Sequence, residues 1–247
     1  MGIQGLFQML KRYEQKVHIP TFIKEKTVAI DIFTYLHKSK GDKTVLQKDL
    51  DQYLTAAKQV IAVFDGSPSE ERSASLSVNV SKRFEITESI KEIKNTLDNP
   101  DSGLSIKDKQ YLYSYLSALE KEAWQPSPEY MWEIYDYLVK KNAKCIVLNK
   151  GEEADMYLPK ITEADIIISN DSDLLANGAS HLLRTSGIYY NKHKILDGLQ
   201  FTEEEWQIFI KLCKGMKNPH PEFVFTAMKL YSSDEEYIME RYECLFT

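Results

Sequence analysis

Paired cysteines are missing from this chain. Cys145, Cys213 and Cys244 are scattered, odd in number and never in a C-x-x-C arrangement. Neither a disulfide framework nor a zinc knuckle is indicated, and the usage fits a reducing compartment, nucleus or cytoplasm. Cys145 sits in an apolar run and is expected to be a buried thiol. No stretch is long and apolar enough to span a bilayer, so no membrane partner is expected. The opening Met1-Gly2-Ile3-Gln4-Gly5-Leu6 has no signal-peptide core. Leu6 also stands where a myristoylation motif needs Ser or Thr. There is no P-loop and no G-x-G-x-x-G. The five histidines are scattered and none accompanies a G-x-S-x-G elbow, so a Ser-His-Asp centre has no footing. Positive charge is also short. The formal net charge of −6 argues against a binder with a basic excess, unless the acids gather around cations that cancel them locally.

What the chain does have is apolar runs that end in aspartate. Val28-Ala29-Ile30 runs into Asp31, and Val60-Ile61-Ala62-Val63-Phe64 into Asp65. Ile166-Ile167-Ile168 leads through Ser169 and Asn170 to Asp171, with Asp173 two residues on. Short β-branched runs bounded by polar residues predict strands of a parallel sheet buried on both faces. Chemistry in open parallel sheets sits outside the carboxyl ends of the strands. The pattern therefore aims several carboxylates at one edge. With 43% hydrophobic and 28% charged residues, 247 residues suit one α/β domain or one domain with an insertion. Tyrosine is frequent, at 15, which by itself does not separate core packing from base stacking or surface decoration.

Spacing predicts a short amphipathic helix over 4–14, a strand at 27–31, helices over 32–38 and 44–58, and a strand at 59–64. From Ser67 to about Gln125 the chain turns polar, and two or three helices are expected. One of them starts at a Ser105/Asp108 variant of the capping box. This block is either an insertion over the edge where Asp65 points or a plain crossover. Ser127-Pro128 starts a helix to Lys141. Strands follow at 144–148 and 165–169, and 182–190 with 193–196 suggest a further strand or hairpin. Thr202 with Glu205 caps a helix to about Lys214, and Ser232 or Ser233 a last one over 234–243. Alternating strands and helices predict a doubly wound sheet.

A lone strand-end aspartate commonly caps the next turn. Repetition across several strands points instead to a cluster, joined by Glu153-Ala154-Asp155 after the third strand. Acids in a first helical turn also suit the helix dipole, and Glu152 fits that role. Crowded carboxylates repel unless protons or cations neutralise them. Oxygen-only donors suit hard divalent ions, Mg²⁺ above all. Six carboxylates exceed what one Mg²⁺ needs and suit two ions about 3.5–4 Å apart, as in nucleases and phosphatases.

The opening Met1–Leu6, Val28-Ala29-Ile30-Asp31, Val63-Phe64-Asp65-Gly66, Glu153-Ala154-Asp155 and Asn170-Asp171-Ser172-Asp173-Leu174-Leu175 together resemble the flap endonuclease superfamily of structure-specific 5′ nucleases. Asp31-Ile32-Phe33-Thr34-Tyr35-Leu36-His37-Lys38 and Phe201-Thr202-Glu203-Glu204 look closest to its exonuclease branch. The resemblance implies a PIN-like α/β fold: a mostly parallel sheet flanked by helices, with residues 67–125 as a helical arch. It implies that Asp31, Asp65, Glu153, Asp155, Asp171 and Asp173 bind two Mg²⁺ or Mn²⁺. Gly2 and His37 would then face nucleic acid, as would Arg72, Lys82 and Arg83 of the arch.

The implied activity is hydrolysis of DNA phosphodiesters at flaps, nicks or 5′ ends by an intracellular, monomeric enzyme of DNA repair and replication. A catalytically weakened binding homologue and a ribonuclease of the same fold are the alternatives. The chain departs from the family pattern near its end. Lys217 falls where an aspartate is expected, and Asn218-Pro219-His220-Pro221 replaces a glycine-rich turn. Residues 215–247 would thus be a truncated helix–two-turn–helix.

Overall fold

The computed structural model describes residues 3–67, 77–99, 102–215 and 220–230, with backbone alone for 77–83 and 215. The elements run α1 (Leu6–Met9, continued by a 3-10 turn, Leu10–Tyr13), β1 (Gln15–Lys16), α2 (Ile19–Phe22), β2 (Thr27–Asp31), α3 (Ile32–Ser39), α4 (Lys43–Ala56) and β3 (Gln59–Phe64). They continue α5 (Ser77–Asp98), α6 (Ile106–Ala123), α7 (Pro128–Lys140), β4 (Lys144–Val147), α8 (Ala154–Tyr157), β5 (Ile166–Ile168), α9 (Asp173–Ala176) and β6 (His181–Leu183). The series closes with β7 (Ile188–Asn191), α10 (Lys192–Leu199), α11 (Glu203–Gly215) and α12 (Pro221–Leu230).

The apolar runs form the middle of a seven-stranded sheet, in the order β1-β7-β6-β5-β2-β3-β4. β2 pairs parallel with both β3 and β5, and β3 pairs parallel with β4. β6 continues the parallel set, while β7 and β1 turn antiparallel at one side. The mostly parallel α/β sheet expected from the alternation of elements is therefore present. Val28, Ala29, Ile30, Ile61, Ala62 and Val63 are wholly buried. A strand covered by helices on both faces needs apolar side chains on both, hence continuous rather than alternating runs. The odd members, Ala29, Ile61 and Val63, join one core with Ile167, Leu182 and Trp206. Val28, Ile30, Ala62 and Phe64 join the other with Tyr35, Tyr53 and Leu138.

Some expectations change. Residues 193–196 are not strand; they lie in α10, whose start Asn191 caps by accepting from the Lys194 N–H at 3.2 Å. Ile195, Leu196 and Leu199 bury one face of that helix, a spacing that a strand cannot use. The helix expected over 4–14 is a single α turn that tightens into 3-10. β1 and α2 were not foreseen. Cys145 is only half-buried, though burial pushes its thiol up to about 11. The helix expected over 234–243 lies outside the described residues. Among the described residues no helix is long and apolar enough to cross a membrane.

Candidate metal centre

Each strand end delivers its acid for a local physical reason. Asp31 ends β2 and caps α3: its Oδ1 accepts from the Phe33 N–H at 2.9 Å and the Thr34 N–H at 3.4 Å. Its Oδ2 accepts from the Thr34 hydroxyl at 2.7 Å and from the fully buried Ser169 hydroxyl at 3.4 Å. Ser169 follows β5, level with Asp31, because Ile30 and Ile168 are register partners. Ser169 in turn accepts from the Asp171 N–H at 3.1 Å, and Asp171 Oδ1 accepts from the Asp173 N–H at 2.9 Å. A single hydrogen-bonded line thus ties the β2 acid to both acids beyond β5.

Asp173 opens α9, and its Oδ1 accepts from the Ile3 N–H at 3.1 Å. The N-terminal segment is docked against the acids, although the expected residue Gly2 lies outside the described residues. Lys214, in the last turn of α11, brings its Nζ to 3.7 Å from Asp173 Oδ1. The sequence marked Ile3 only as part of the opening motif and did not mark Lys214 as a site residue; both reach the site through tertiary packing.

The other half of the edge is built by β3 and β4. Their parallel pairing runs on past the strands: the Gly66 N–H donates to the Glu152 carbonyl at 3.0 Å and the Gly151 N–H to the Ser67 carbonyl at 2.7 Å. A Cβ on Gly66 would stand 1.6 Å from the Asn149 carbonyl oxygen, so this approach demands glycine. It presents Asp65 to the next helix. Glu153 sits at the N-cap of α8 without a capping side-chain bond, and Asp65 Oδ1 accepts from the Ala154 N–H at 2.6 Å instead. The partial positive charge of a helix start favours a carboxylate there. Glu152 has a separate duty: its Oε2 accepts from the Asn149 N–H at 2.8 Å and clamps the loop. Asp155 follows in the first turn of α8, and its Oδ1 is buried with no hydrogen-bond partner among the described residues.

β5, β2, β3 and β4 are neighbours and parallel, so all six acids stand at one edge of the sheet. Adjacent strands lie about 4.8 Å apart, so four of them span roughly 15 Å. Among the described residues no three His, Cys, Asp or Glu side chains already close on a point able to hold a metal ion. Crowded carboxylates repel one another unless protons or cations neutralise them. Burial pushes the Asp31 carboxyl above its ordinary range, against the pull of its Thr34, Phe33 and Ser169 donors. Burial raises Asp173 too, with the Asp171 charge adding to it and Lys214 and the Ile3 N–H opposing. The donor set is oxygen only, and the buried Asp155 Oδ1 has no hydrogen-bond partner among the described residues. Both fit hard divalent ions.

Of the expected nucleic-acid residues, His37 is exposed in the last turn of α3, its ring 6.2 Å from Phe33. Lys82 and Arg83 fall on α5, where only the backbone is described. Arg72 and Lys217 lie outside the described residues. α5 and α6 lie between β3 and α7 in the chain and pack on each other through Lys94 and Glu120, 2.7 Å apart.

Comparison with known proteins comes from three directions. Residues 1–85 match the XPG N-terminal domain. Exodeoxyribonuclease 1 of Schizosaccharomyces pombe is 27% identical over 198 residues, which cover 74% of this chain and 32% of that protein. Exonuclease 1 of Danio rerio is 26% identical over 253 residues, 94% of this chain and 28% of that one. The chain thus spans about a third or less of the length of these relatives. Among solved structures, the catalytic core of Rad2 in complex with DNA substrate superposes with a TM-score of 0.61 at 14% identity, over 94% of this chain and 68% of that one. Flap endonuclease-1 from Methanococcus jannaschii gives 0.59 at 14% identity, over 97% and 80%. At such identity these structures establish the shared fold.

Proposed function

From its membership of the flap endonuclease superfamily, on the exonuclease branch, we propose that this protein is a divalent-metal-dependent 5′ nuclease hydrolysing DNA phosphodiesters at flaps, nicks or free 5′ ends. The observation that carries the reading is the row of six carboxylates beyond four adjacent parallel strands. Asp31, Asp65, Glu153, Asp155, Asp171 and Asp173 would hold two Mg²⁺ or Mn²⁺. When bound, such ions supply Lewis-acid polarisation of the phosphodiester and make a water more acidic.

The chain's own residues do the positioning. The Ser169 and Thr34 hydroxyls hold Asp31 Oδ2 while the Phe33 and Thr34 amides hold its Oδ1, the α8 amide fixes Asp65, and Ile3 holds Asp173 toward the row. Lys214 offsets part of the negative charge at Asp173. The helices α5 and α6 suit an arch over this edge, with Lys82, Arg83 and Arg72 drawing the backbone phosphates inward. His37 and Gly2 suit contacts to the terminal nucleotides. DNA as the ligand has support from the Rad2 core, which was solved with DNA substrate.

The test is cleavage of 5′-labelled flap, nicked and single-stranded DNA, beside matched RNA, with Mg²⁺ and with EDTA. Shortening from the 5′ end that needs the metal and disappears in Asp171→Asn supports the reading. Intact DNA in every lane contradicts it, and preference for RNA turns it into a ribonuclease. A binding protein without turnover is the second reading. Lys214 favours it, because an ammonium beside Asp173 supplies charge that a cation otherwise brings.

A further inference from the structure

On the β4 side of Asp65 lies a cleft of about 190 Å³ whose other walls are aromatic and apolar: Phe64, Met131, Trp132, Tyr135 and Val147. Phe64 is buried and forms the floor, yet Trp132 keeps 59% of its surface exposed and Val147 53%. An exposed indole forgoes a large hydrophobic gain, since an aromatic side chain can bury 150–250 Å². The ring is nevertheless held in place. Tyr135, three residues on along α7, meets Trp132 edge-on at 5.4 Å and 71°, and Phe64 backs Tyr135 at 6.0 Å. Pre-set rings lose little freedom when a partner stacks on them.

The chemistry of the lining selects the occupant. Among the described residues, Asp65 is the charged member of these walls, and it repels anions. A phosphate is therefore unwelcome inside, while a flat neutral ring is welcome. Sites that take whole small molecules measure about 300–1,000 Å³, so this one is sized for a single ring system. A nucleotide whose phosphate stands over the acids has its base within reach of a slot walled by one of those acids.

We propose that Trp132, backed by Tyr135 and Phe64, forms a nucleobase slot that stacks the base beside the phosphodiester presented to Asp65. This rests on the nuclease reading above and adds to it a substrate contact. Every base has a π-face, so the grip is sequence-tolerant and lost only when the base is missing.

Tryptophan emission reports the slot directly. Trp206 is fully buried and Trp124 partly so, leaving Trp132 as the exposed indole. The probe is a 5′-phosphorylated single-stranded oligonucleotide titrated with Ca²⁺ in place of Mg²⁺. Expected are quenching in the wild type, binding without quenching in Trp132→Phe, and affinity lower by about 5- to 150-fold in Trp132→Ala. Circular dichroism melts establish that both variants fold. An oligonucleotide with one abasic site at the 5′-terminal positions should weaken wild-type binding but leave Trp132→Ala unaffected. Quenching with no cleavage under Mg²⁺ keeps the slot and overturns the nuclease reading. Cleavage with no quenching, and a Trp132→Ala variant as active and as tight as wild type, overturns the slot alone. Neither quenching nor cleavage overturns both.

Discussion

Ser169 shows what one residue contributes to the edge. Its hydroxyl donates to Asp31 and accepts from the Asp171 amide, in a position with no solvent exposure. Ser169→Ala strands a buried N–H, which costs about 1–3 kcal/mol. Urea denaturation of the metal-free protein should show that loss, and cleavage should fall further than stability does. An unchanged melt would place the Asp171 amide in contact with solvent instead. His181 offers a pH test away from the acids. Its Nδ1 lies 2.7 Å from the Tyr189 hydroxyl. Burial, then the nearby His193 and Lys26 charges, hold its pKa below the usual 6.5, with Asp165 opposing. A lowered value means that the folded state prefers the neutral ring. Its contribution is full above pH 6.5 and is lost as pH falls through the folded value. His181→Phe keeps the ring beside Tyr189 and should flatten the fall of melting temperature between about pH 7.5 and 5. Curves that stay parallel would contradict this.

At the scale of elements, the strands were legible because burial on both faces leaves no room for polar residues. Runs 27–31 and 59–64 match β2 and β3 residue for residue. Caps were legible too, since Ser105, Ser127 and Thr202 each accept the expected N3 amide. Removing the Ser105 cap from α6 should cost about 1 kcal/mol in a thermal melt while leaving metal affinity unchanged. β1 was not legible because its two exposed residues form a strand only by pairing with β7. α10 was misread because a short apolar stretch fits either period, and the deciding Asn191 cap lies outside it. Gly66 marks a feature that sequence cannot display, the contact of two loops. Gly66→Ala puts a methyl against the Asn149 carbonyl, so it should part the β3 and β4 ends, lower the melting temperature and weaken metal binding together. Loss of one without the other would separate the loop contact from the site.

Across the whole molecule, the order of acids along the chain was legible, while their mutual placement was not. Ile3 and Asp173 are 170 positions apart, and Lys214 meets Asp173 only after α11 folds back on α9. Four adjacent strands contribute the acids, so their meeting depends on the sheet order, which the sequence does not spell out. Under the proposed reading, divalent ions held by the acids stabilise the folded chain over the unfolded one. At 100-fold excess over its dissociation constant, a bound ion adds about 2.7 kcal/mol. Mg²⁺ should therefore raise the melting temperature of the wild type but not of an Asp31→Asn, Asp155→Asn double variant.

The central claim is that the acids beyond β5, β2, β3 and β4 share divalent ions, and anomalous diffraction from a Mn²⁺-soaked crystal reads it out. Two peaks among Asp31, Asp65, Glu153, Asp155, Asp171 and Asp173, with Asp155 Oδ1 in direct coordination, are the predicted result. An edge without peaks at saturating Mn²⁺, or ions bound only elsewhere, would contradict the account.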